Sequence, residues 1–156
     1  MSVSEMVDQT SADASPNAHV KVAIVDDHES VRLGLRAAFA DEGYDVVEVA
    51  PTVADLIAAL AGREVDVVVL DLSLGDGSSV TDNVKNVQAA GAAVLVHSIA
   101  DRVGLVREAL AAGAAGVIPK SSATKTVIAA AATVARGEVL NNLEWATAID
   151  ADRDFA

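Results

Sequence analysis

The sequence predicts an α/β fold of the (βα)5 type, in which a doubly wound parallel sheet carries helices on both faces. Short apolar runs rich in β-branched residues alternate five times with amphipathic stretches from Val20 onward. The run at residues 66–70 is apolar almost throughout, which is typical of a central parallel strand covered on both sides. Right-handed crossovers between such units place all five strands in one parallel sheet.

The predicted strands share a high content of valine, isoleucine and leucine. They are Val20–Val25, Asp45–Val49, Asp66–Leu70, Ala93–Val96 and Gly116–Ile118. Pro119 follows the fifth strand directly. Because proline donates no hydrogen bond to a neighbouring strand, we expect this strand at an edge of the sheet.

The helices are predicted from apolar residues that recur every three or four positions. The first four patterns are Val31, Leu35, Ala38 and Phe39; Val53, Leu56, Ile57 and Leu60; Val80, Val84 and Val87; and Val103, Val106 and Leu110. The fifth comprises Thr124, Val127, Ile128, Ala131 and Val134. We expect Thr52 to cap the second helix, with Asp55 three residues on, and Gly137 to end the fifth as its C′ residue.

The composition excludes several kinds of site and partner. Hydrophobic residues make up 52% of the 156 residues but aromatic residues only 3%, so Val, Leu, Ile and Ala must form the core. The chain has no cysteine, which rules out disulfides and thiolate zinc sites. Its formal net charge of −12 lacks the basic footprint that binds nucleic-acid phosphates, so we expect no nucleic-acid partner for this chain.

The domain organisation follows from changes in composition along the chain. Residues 1–18 are polar and are predicted to be a disordered tail rather than a signal peptide. No stretch reaches the roughly 18 consecutive apolar residues of a membrane-spanning helix, so we expect no membrane contact and a cytoplasmic location. Residues 19–137 form the predicted domain, and residues 138–156 a C-terminal tail or the start of a linker to an output domain that is absent here.

Polar side chains follow four of the predicted strands at their carboxyl ends, where open parallel sheets bind ligands. They are Asp26 and Asp27 after the first strand, Asp71 after the third, His97 and Ser98 after the fourth, and Lys120 after the fifth. Carboxylates brought together repel one another unless a cation compensates them, and their oxygens are ligands that Mg²⁺ prefers. With Lys120 and Ser98 placed to contact phosphoryl oxygens, one carboxylate can act as a nucleophile.

Four segments resemble the motifs of response-regulator receiver domains. VAIVDDHESVRLGL is similar to their first strand and helix, and VVVLDLSLGDGSSV to their third strand with the phosphoacceptor aspartate. VLVHS and GVIPK resemble the segments that carry the switch hydroxyl and the lysine. The spacing agrees as well, since 44 residues lead from Asp27 to Asp71 and 22 from Ser98 to Lys120. The resemblance covers residues 20–136.

The resemblance implies a CheY-like, flavodoxin-like fold with strand order 2-1-3-4-5, and a role for each site residue. Asp71 is the implied acceptor of a phosphoryl group from a sensor histidine kinase. Lys120 would pair with that group, and Ser98 would move to hydrogen-bond it after transfer. The implied Mg²⁺ ligands are Asp27, Asp71, Asp26 through water, and the backbone carbonyl of Ser73. Such a receiver is not an enzyme in its own right, and its implied partners are the kinase and, on phosphorylation, a second copy.

The motifs also favour a subfamily. DDHESVRLGLRAAF and DLSLGDG resemble LuxR-type transcription regulators, and the tail LEWATAIDADRDFA resembles the linker to their helix-turn-helix domain.

Two residues depart from the family pattern. Val117 stands where receivers often carry the Tyr or Phe of the switch, so switching must rest on Ser98. Ser121 replaces the proline that often follows the lysine.

Other functions use related residues. A stand-alone receiver in a phosphorelay would carry the same motifs, whereas a receiver-like module that is never phosphorylated would have lost part of the acid set. An aspartate-nucleophile phosphatase needs a second aspartate where this chain has Ser73, and its nucleophile follows the first strand. A flavodoxin-like module needs a phosphate loop where Asp26 and Asp27 would repel phosphate. We interpret His28 as a helix-start residue and His97 as a strand-end side chain, and neither as a ligand.

Overall fold

The computed structural model describes residues 19–99 and 102–140. The strands are β1 (Lys21–Val25), β2 (Asp45–Ala50), β3 (Val67–Leu70), β4 (Ala93–Ser98) and β5 (Gly116–Pro119). The helices are α1 (Glu29–Asp41), α2 (Val53–Leu60), α3 (Val80–Ala89), α4 (Val103–Ala112) and α5 (Thr124–Ala135). All neighbouring strands are parallel, in the order β2-β1-β3-β4-β5. The predicted (βα)5 alternation and strand order are therefore confirmed.

The strand ends agree closely with the prediction, with one informative difference. β5 lies at the edge of the sheet, as expected from Pro119. β4, however, continues two residues past its predicted end at Val96, because His97 and Ser98 pair with Ile118 and Pro119 of β5. His97 and Ser98 are polar and do not fit the apolar pattern of the predicted strand. Pairing with β5 keeps them in an extended conformation.

Local capping residues behave as predicted. The Thr52 side chain accepts a hydrogen bond of 3.1 Å from the Asp55 amide at the start of α2. Gly137 has a φ of 84°, and its amide donates to the Val134 carbonyl at the end of α5. Three residues of the predicted helix patterns are exposed: Ile57 at 38%, Leu110 at 37%, and Thr124.

The sheet separates two apolar layers. Alternate residues of β3 point to opposite faces, so Val68 and Leu70 join one layer while Val67 and Val69 join the other. The first layer contains the buried faces of α2, α3 and α4, and the second those of α1 and α5. Covering both faces explains why β3 is apolar at every position.

The domain boundaries remain predictions, because the structure describes neither residues 1–18 nor residues 141–156. The predicted N-terminal tail and most of the predicted C-terminal tail lie outside the described residues. Leu140, three residues beyond Gly137, packs against the second apolar layer, and its amide donates to the Ala115 carbonyl at 2.9 Å. The chain therefore returns to the edge of the sheet after α5. Within the described residues, no helix is long and apolar enough to cross a membrane.

Candidate functional site

Backbone hydrogen bonds hold the predicted site residues just beyond the strand ends. The Asp26 amide donates to the Ala50 carbonyl at 3.2 Å, and the Asp71 amide donates to the Val25 carbonyl at 2.9 Å. The Lys120 amide donates to the Ser98 carbonyl at 2.8 Å. These bonds continue the pattern of the sheet, so the rigid strands position each functional side chain at one edge.

Two buried carboxylates share one ammonium group at this edge. Asp26 is 1% exposed and Asp71 is 4% exposed. Nζ of Lys120 lies 2.9 Å from Oδ2 of Asp26 and 3.4 Å from Oδ2 of Asp71. Among the described residues neither Oδ2 atom accepts a hydrogen bond of good geometry, so electrostatic attraction is their main contact with Lys120. The cluster has more negative than positive charge and is shielded from water.

Burial changes the protonation behaviour of both sides of this contact. Removal from water raises the pKa of Asp71, and the nearby charge of Asp26 raises it further. The Lys120 ammonium and the Ser73 amide, which lies 3.3 Å from Oδ1 of Asp71, oppose that rise without cancelling it. For Lys120, burial lowers the pKa, but the contacts with Asp26 and Asp71 outweigh burial and leave the pKa raised. Lys120 is therefore firmly protonated, and Asp71 is the group whose charge depends on its surroundings.

Asp27 occupies the open side of the cluster, with its side chain 33% exposed. The loop after Asp71 passes close to it, because a Cβ atom on Gly75 would lie 3.4 Å from Oδ2 of Asp27. Gly75 has a φ of 75°, a conformation that glycine adopts without strain. The glycine thus lets the loop after β3 approach the acid pair after β1.

Ser98 ends β4 beside the cluster. It is 1% exposed, and its hydroxyl has no hydrogen-bond partner among the described residues. Val117, on the neighbouring strand, is 1% exposed and packs in the first apolar layer opposite Val96. The residue three positions before Lys120 is thus a valine buried in the core, and it has no aromatic ring.

The structure adds contacts of His28 that the sequence did not predict. His28 immediately precedes α1, as expected of a helix-start residue. Its Nδ1 also lies 3.1 Å from Oδ1 of Asp26 and 3.0 Å from Oδ1 of Asp27. Arg32, one turn into α1, donates to the Asp26 carbonyl at 2.7 Å. His28 directly follows Asp26 and Asp27 in the sequence, and this position could have indicated its contacts with them. No feature of the sequence indicated the contact of Arg32.

His97 is a buried side chain near the end of β4, in agreement with its prediction. It is 6% exposed and lines a cleft of about 350 Å³ together with Lys120 and Ser122. Burial and the charge of Lys120 lower the pKa of His97 to about 4, although Asp26 opposes this. The ring is therefore neutral at physiological pH and adds no charge to the cluster.

Comparison with known proteins connects this geometry to a family. Residues 22–132 match the family model described as the response regulator receiver domain. The chain belongs to this family. Receiver domains are the receiving modules of two-component signalling systems, and the match includes every residue of the cluster described above.

Individual relatives agree with this assignment. The chain is 35% identical to the transcriptional regulatory protein UhpA of Salmonella typhimurium over 119 residues. This match covers 76% of this chain and 60% of UhpA. It resembles the receiver domain of the response regulator NarL from Mycobacterium tuberculosis with a TM-score of 0.68 and 29% identity, over 76% of this chain and 98% of that one. For a LuxR-family response regulator from Aurantimonas sp. SI85-9A1, the TM-score is 0.72 and the identity 27%, over 85% and 96% of the two chains. The predicted LuxR-type relationship is thereby confirmed.

Proposed function

We propose that this receiver accepts a phosphoryl group on Asp71 from a sensor histidine kinase, with the aid of Mg²⁺. The observation that carries the proposal is the position of Asp71, which is buried beside Asp26 and contacts Lys120 at 3.4 Å. A carboxylate that served only as a surface cap would be solvated. Here Oδ2 is enclosed and has no hydrogen-bond partner among the described residues, so the Lys120 ammonium is what compensates its burial.

The proposed transfer forms an acyl phosphate. An oxygen of the deprotonated Asp71 carboxylate attacks the phosphorus of a phosphohistidine on the kinase, the P–N bond breaks, and the leaving imidazole takes up a proton. Lys120 already contacts Asp71, so its ammonium can pair with a phosphoryl oxygen as negative charge accumulates. Only the ionised carboxylate is a nucleophile, and the Lys120 ammonium favours that form because it opposes the rise in the pKa of Asp71.

The donor set fits Mg²⁺. One atom from each of Asp26, Asp27 and Asp71 lies within 4.8 Å of the others, and all three are carboxylate oxygens. In the part of the chain that the structure describes, the buried Oδ2 atoms of Asp26 and Asp71 have no hydrogen-bond partner and share the single positive charge of Lys120, so a divalent cation would complete the charge compensation. We propose Asp27 and Asp71 as direct ligands, Asp26 as a ligand through water, and the carbonyl of Ser73 as the remaining protein ligand. When bound, the ion supplies positive charge that favours the ionised form of Asp71 and neutralises phosphoryl oxygens.

We propose that Ser98 and β4 transmit the phosphorylated state. The hydroxyl of Ser98 is buried, has no hydrogen-bond partner within residues 19–99 and 102–140, and is available to a phosphoryl oxygen. Its carbonyl accepts from the Lys120 amide, so a movement of Ser98 would be passed to β5. Val117 is packed in the core and has no ring to rotate. Switching therefore depends on Ser98 alone rather than on a serine and an aromatic side chain together.

The output proposed for the complete protein is control of transcription. The chain spans about 60% of the length of UhpA, which is named as a transcriptional regulatory protein. A DNA-binding domain outside this chain would supply the output, and a second receiver would be the partner after phosphorylation. The net charge of −12 favours the view that this receiver itself contacts a kinase and not nucleic acid. A stand-alone receiver in a phosphorelay is the alternative with the same site.

Intact-mass spectrometry tests the phosphorylation. Incubation with Mg²⁺ and a small phosphodonor such as acetyl phosphate should add the mass of one phosphoryl group, labile to hydroxylamine as an acyl phosphate is. Asp71→Asn should remain unmodified. Asp76→Asn is the matched control, since this exposed carboxylate lies in the same loop and should leave the modification intact. An unmodified wild-type protein, under conditions where other receivers react, would disprove the proposal.

A further inference from the structure

The ring of His28 contacts both members of the acid pair. Its Nδ1 lies 3.1 Å from Oδ1 of Asp26 and 3.0 Å from Oδ1 of Asp27. The His28 backbone amide also donates to Oδ1 of Asp26 at 2.8 Å, which fixes the position of the residue. The side chain is 64% exposed, so the ring lies on the open side of the cluster and not within the core.

The two distances from Nδ1 of His28 equal the separation of adjacent ligands on a single ion. Two ligand atoms at right angles on an octahedral ion with bonds of about 2.1 Å lie roughly 3 Å apart, and opposite ligands about 4.2 Å apart. The distances from Nδ1 of His28 to both carboxylates have the first of these values, and the contact with Asp26 is a hydrogen bond in the structure. One atom from each member of the cluster lies within 4.8 Å of all the others; the members are Asp26, Asp27, His28 and Asp71.

A second observation concerns the charge balance of the cluster. The Oδ2 atoms of Asp26 and Asp71 belong to side chains that are more than nine-tenths buried, and among the described residues they have no hydrogen-bond partner and contact only the Lys120 ammonium. Lys120 offers them one positive charge between two carboxylates, and Asp27 adds a third carboxylate on the open side. A divalent ion would complete the compensation, and His28 is in position to contact it.

We propose that His28 is a further ligand of this metal site and increases its preference for ions that accept imidazole nitrogen, such as Ni²⁺, Zn²⁺ and Fe²⁺, relative to Mg²⁺. The inference rests on the proposed function, because it uses the same site. Mg²⁺ selects oxygen ligands and retains its water, whereas imidazole binds the later first-row ions well. With Mg²⁺ bound, the ring serves as a hydrogen-bonding neighbour of the carboxylates. With a nitrogen-accepting ion, Nδ1 enters the coordination shell.

Calorimetric titration with Ni²⁺ and with Mg²⁺ tests the proposal. His28→Gln retains a polar side chain of similar size but removes the imidazole. It should lower the ratio of Ni²⁺ affinity to Mg²⁺ affinity roughly tenfold or more, the scale on which metal sites lose affinity when their surroundings are altered. His19→Gln is the matched control, because His19 is exposed and outside the cluster, and it should leave the ratio unchanged.

The results separate this inference from the proposed function. Failure of wild-type protein to bind Mg²⁺ and to be phosphorylated on Asp71 would overturn the proposed function. A wild-type protein that is phosphorylated, combined with an unchanged Ni²⁺ to Mg²⁺ ratio in His28→Gln, would overturn the His28 assignment alone. An equal loss in His19→Gln would also overturn it. NMR gives a direct readout: in ¹⁵N-histidine-labelled protein, the Nδ1 resonance of His28 should shift when Zn²⁺ is added. An unchanged Nδ1 resonance would contradict coordination of the ion by His28.

Discussion

Replacing Lys120 with methionine should reveal how strongly the ammonium stabilises the two buried carboxylates. Methionine keeps an unbranched apolar stem but removes the charge that lies 2.9 Å from Asp26 and 3.4 Å from Asp71. The Lys120 side chain is 16% exposed, so water can replace the ammonium only in part. Removing one partner of a buried ion pair costs about 3–5 kcal/mol. We expect about 3 kcal/mol at neutral pH without Mg²⁺, the lower end of that range, because Asp71 can take up a proton instead.

The destabilisation should depend on pH with a definite sign. The pKa of Asp71 is raised in the folded protein by burial and by Asp26, with Lys120 opposing the rise. A carboxyl group with a raised folded-state pKa contributes stability below its unfolded pKa and loses that contribution as pH rises through the folded value. Removing Lys120 raises the pKa of Asp71 further. The difference between Lys120→Met and wild type should therefore be small in acid and grow toward neutral pH.

Urea unfolding at acidic and neutral pH, without metal, measures this difference. Lys21→Met is the matched control, because Lys21 makes a surface ion pair of 3.3 Å with Glu64 in which the side chains are 37% and 86% exposed. Such pairs contribute about 0–1 kcal/mol, so this variant should lose little stability at either pH. The reasoning is refuted if Lys120→Met loses no more than Lys21→Met at neutral pH, or if its loss is greatest in acid.

Three further predictions concern the metal, the switch and a helix cap. In thermal melts, Mg²⁺ at about 100 times its dissociation constant should stabilise the wild type by about 2.7 kcal/mol, and Asp27→Ala should abolish this gain; equal stabilisation of both proteins would contradict the site. Ser98→Ala should still be phosphorylated in mass spectra, but its self-association by analytical ultracentrifugation should not respond to phosphorylation, and a full response would place the switch elsewhere. Thr52→Ala should lower the free energy of unfolding by about 1 kcal/mol, because the Asp55 amide loses its acceptor; an unchanged urea midpoint would contradict the role of this cap.

Features that depend on neighbours along the chain could be predicted from the sequence. The strand and helix alternation follows from periodicity, and Thr52 and Gly137 act within one turn of their own helices. Pro119 indicated an edge strand because its missing donor is a property of the residue itself. The Asp26–Asp27 pair, Asp71, Ser98 and Lys120 were located for a related reason, since each follows a predicted strand and parallel strands end at one edge.

Features that depend on distant residues required the tertiary structure. β4 extends to Ser98 only because β5 pairs with it, and polarity alone indicated an earlier end. The raised pKa of Asp71 results from burial together with Asp26 and Lys120, which lie 45 and 49 residues away in the sequence. The contact of the His28 ring with two carboxylates required the turn between β1 and α1 to take one particular shape. The sequence by itself determined which groups reach the edge of the sheet. Their separation, burial and charge balance were decided by folding, because these quantities depend on everything packed around the cluster.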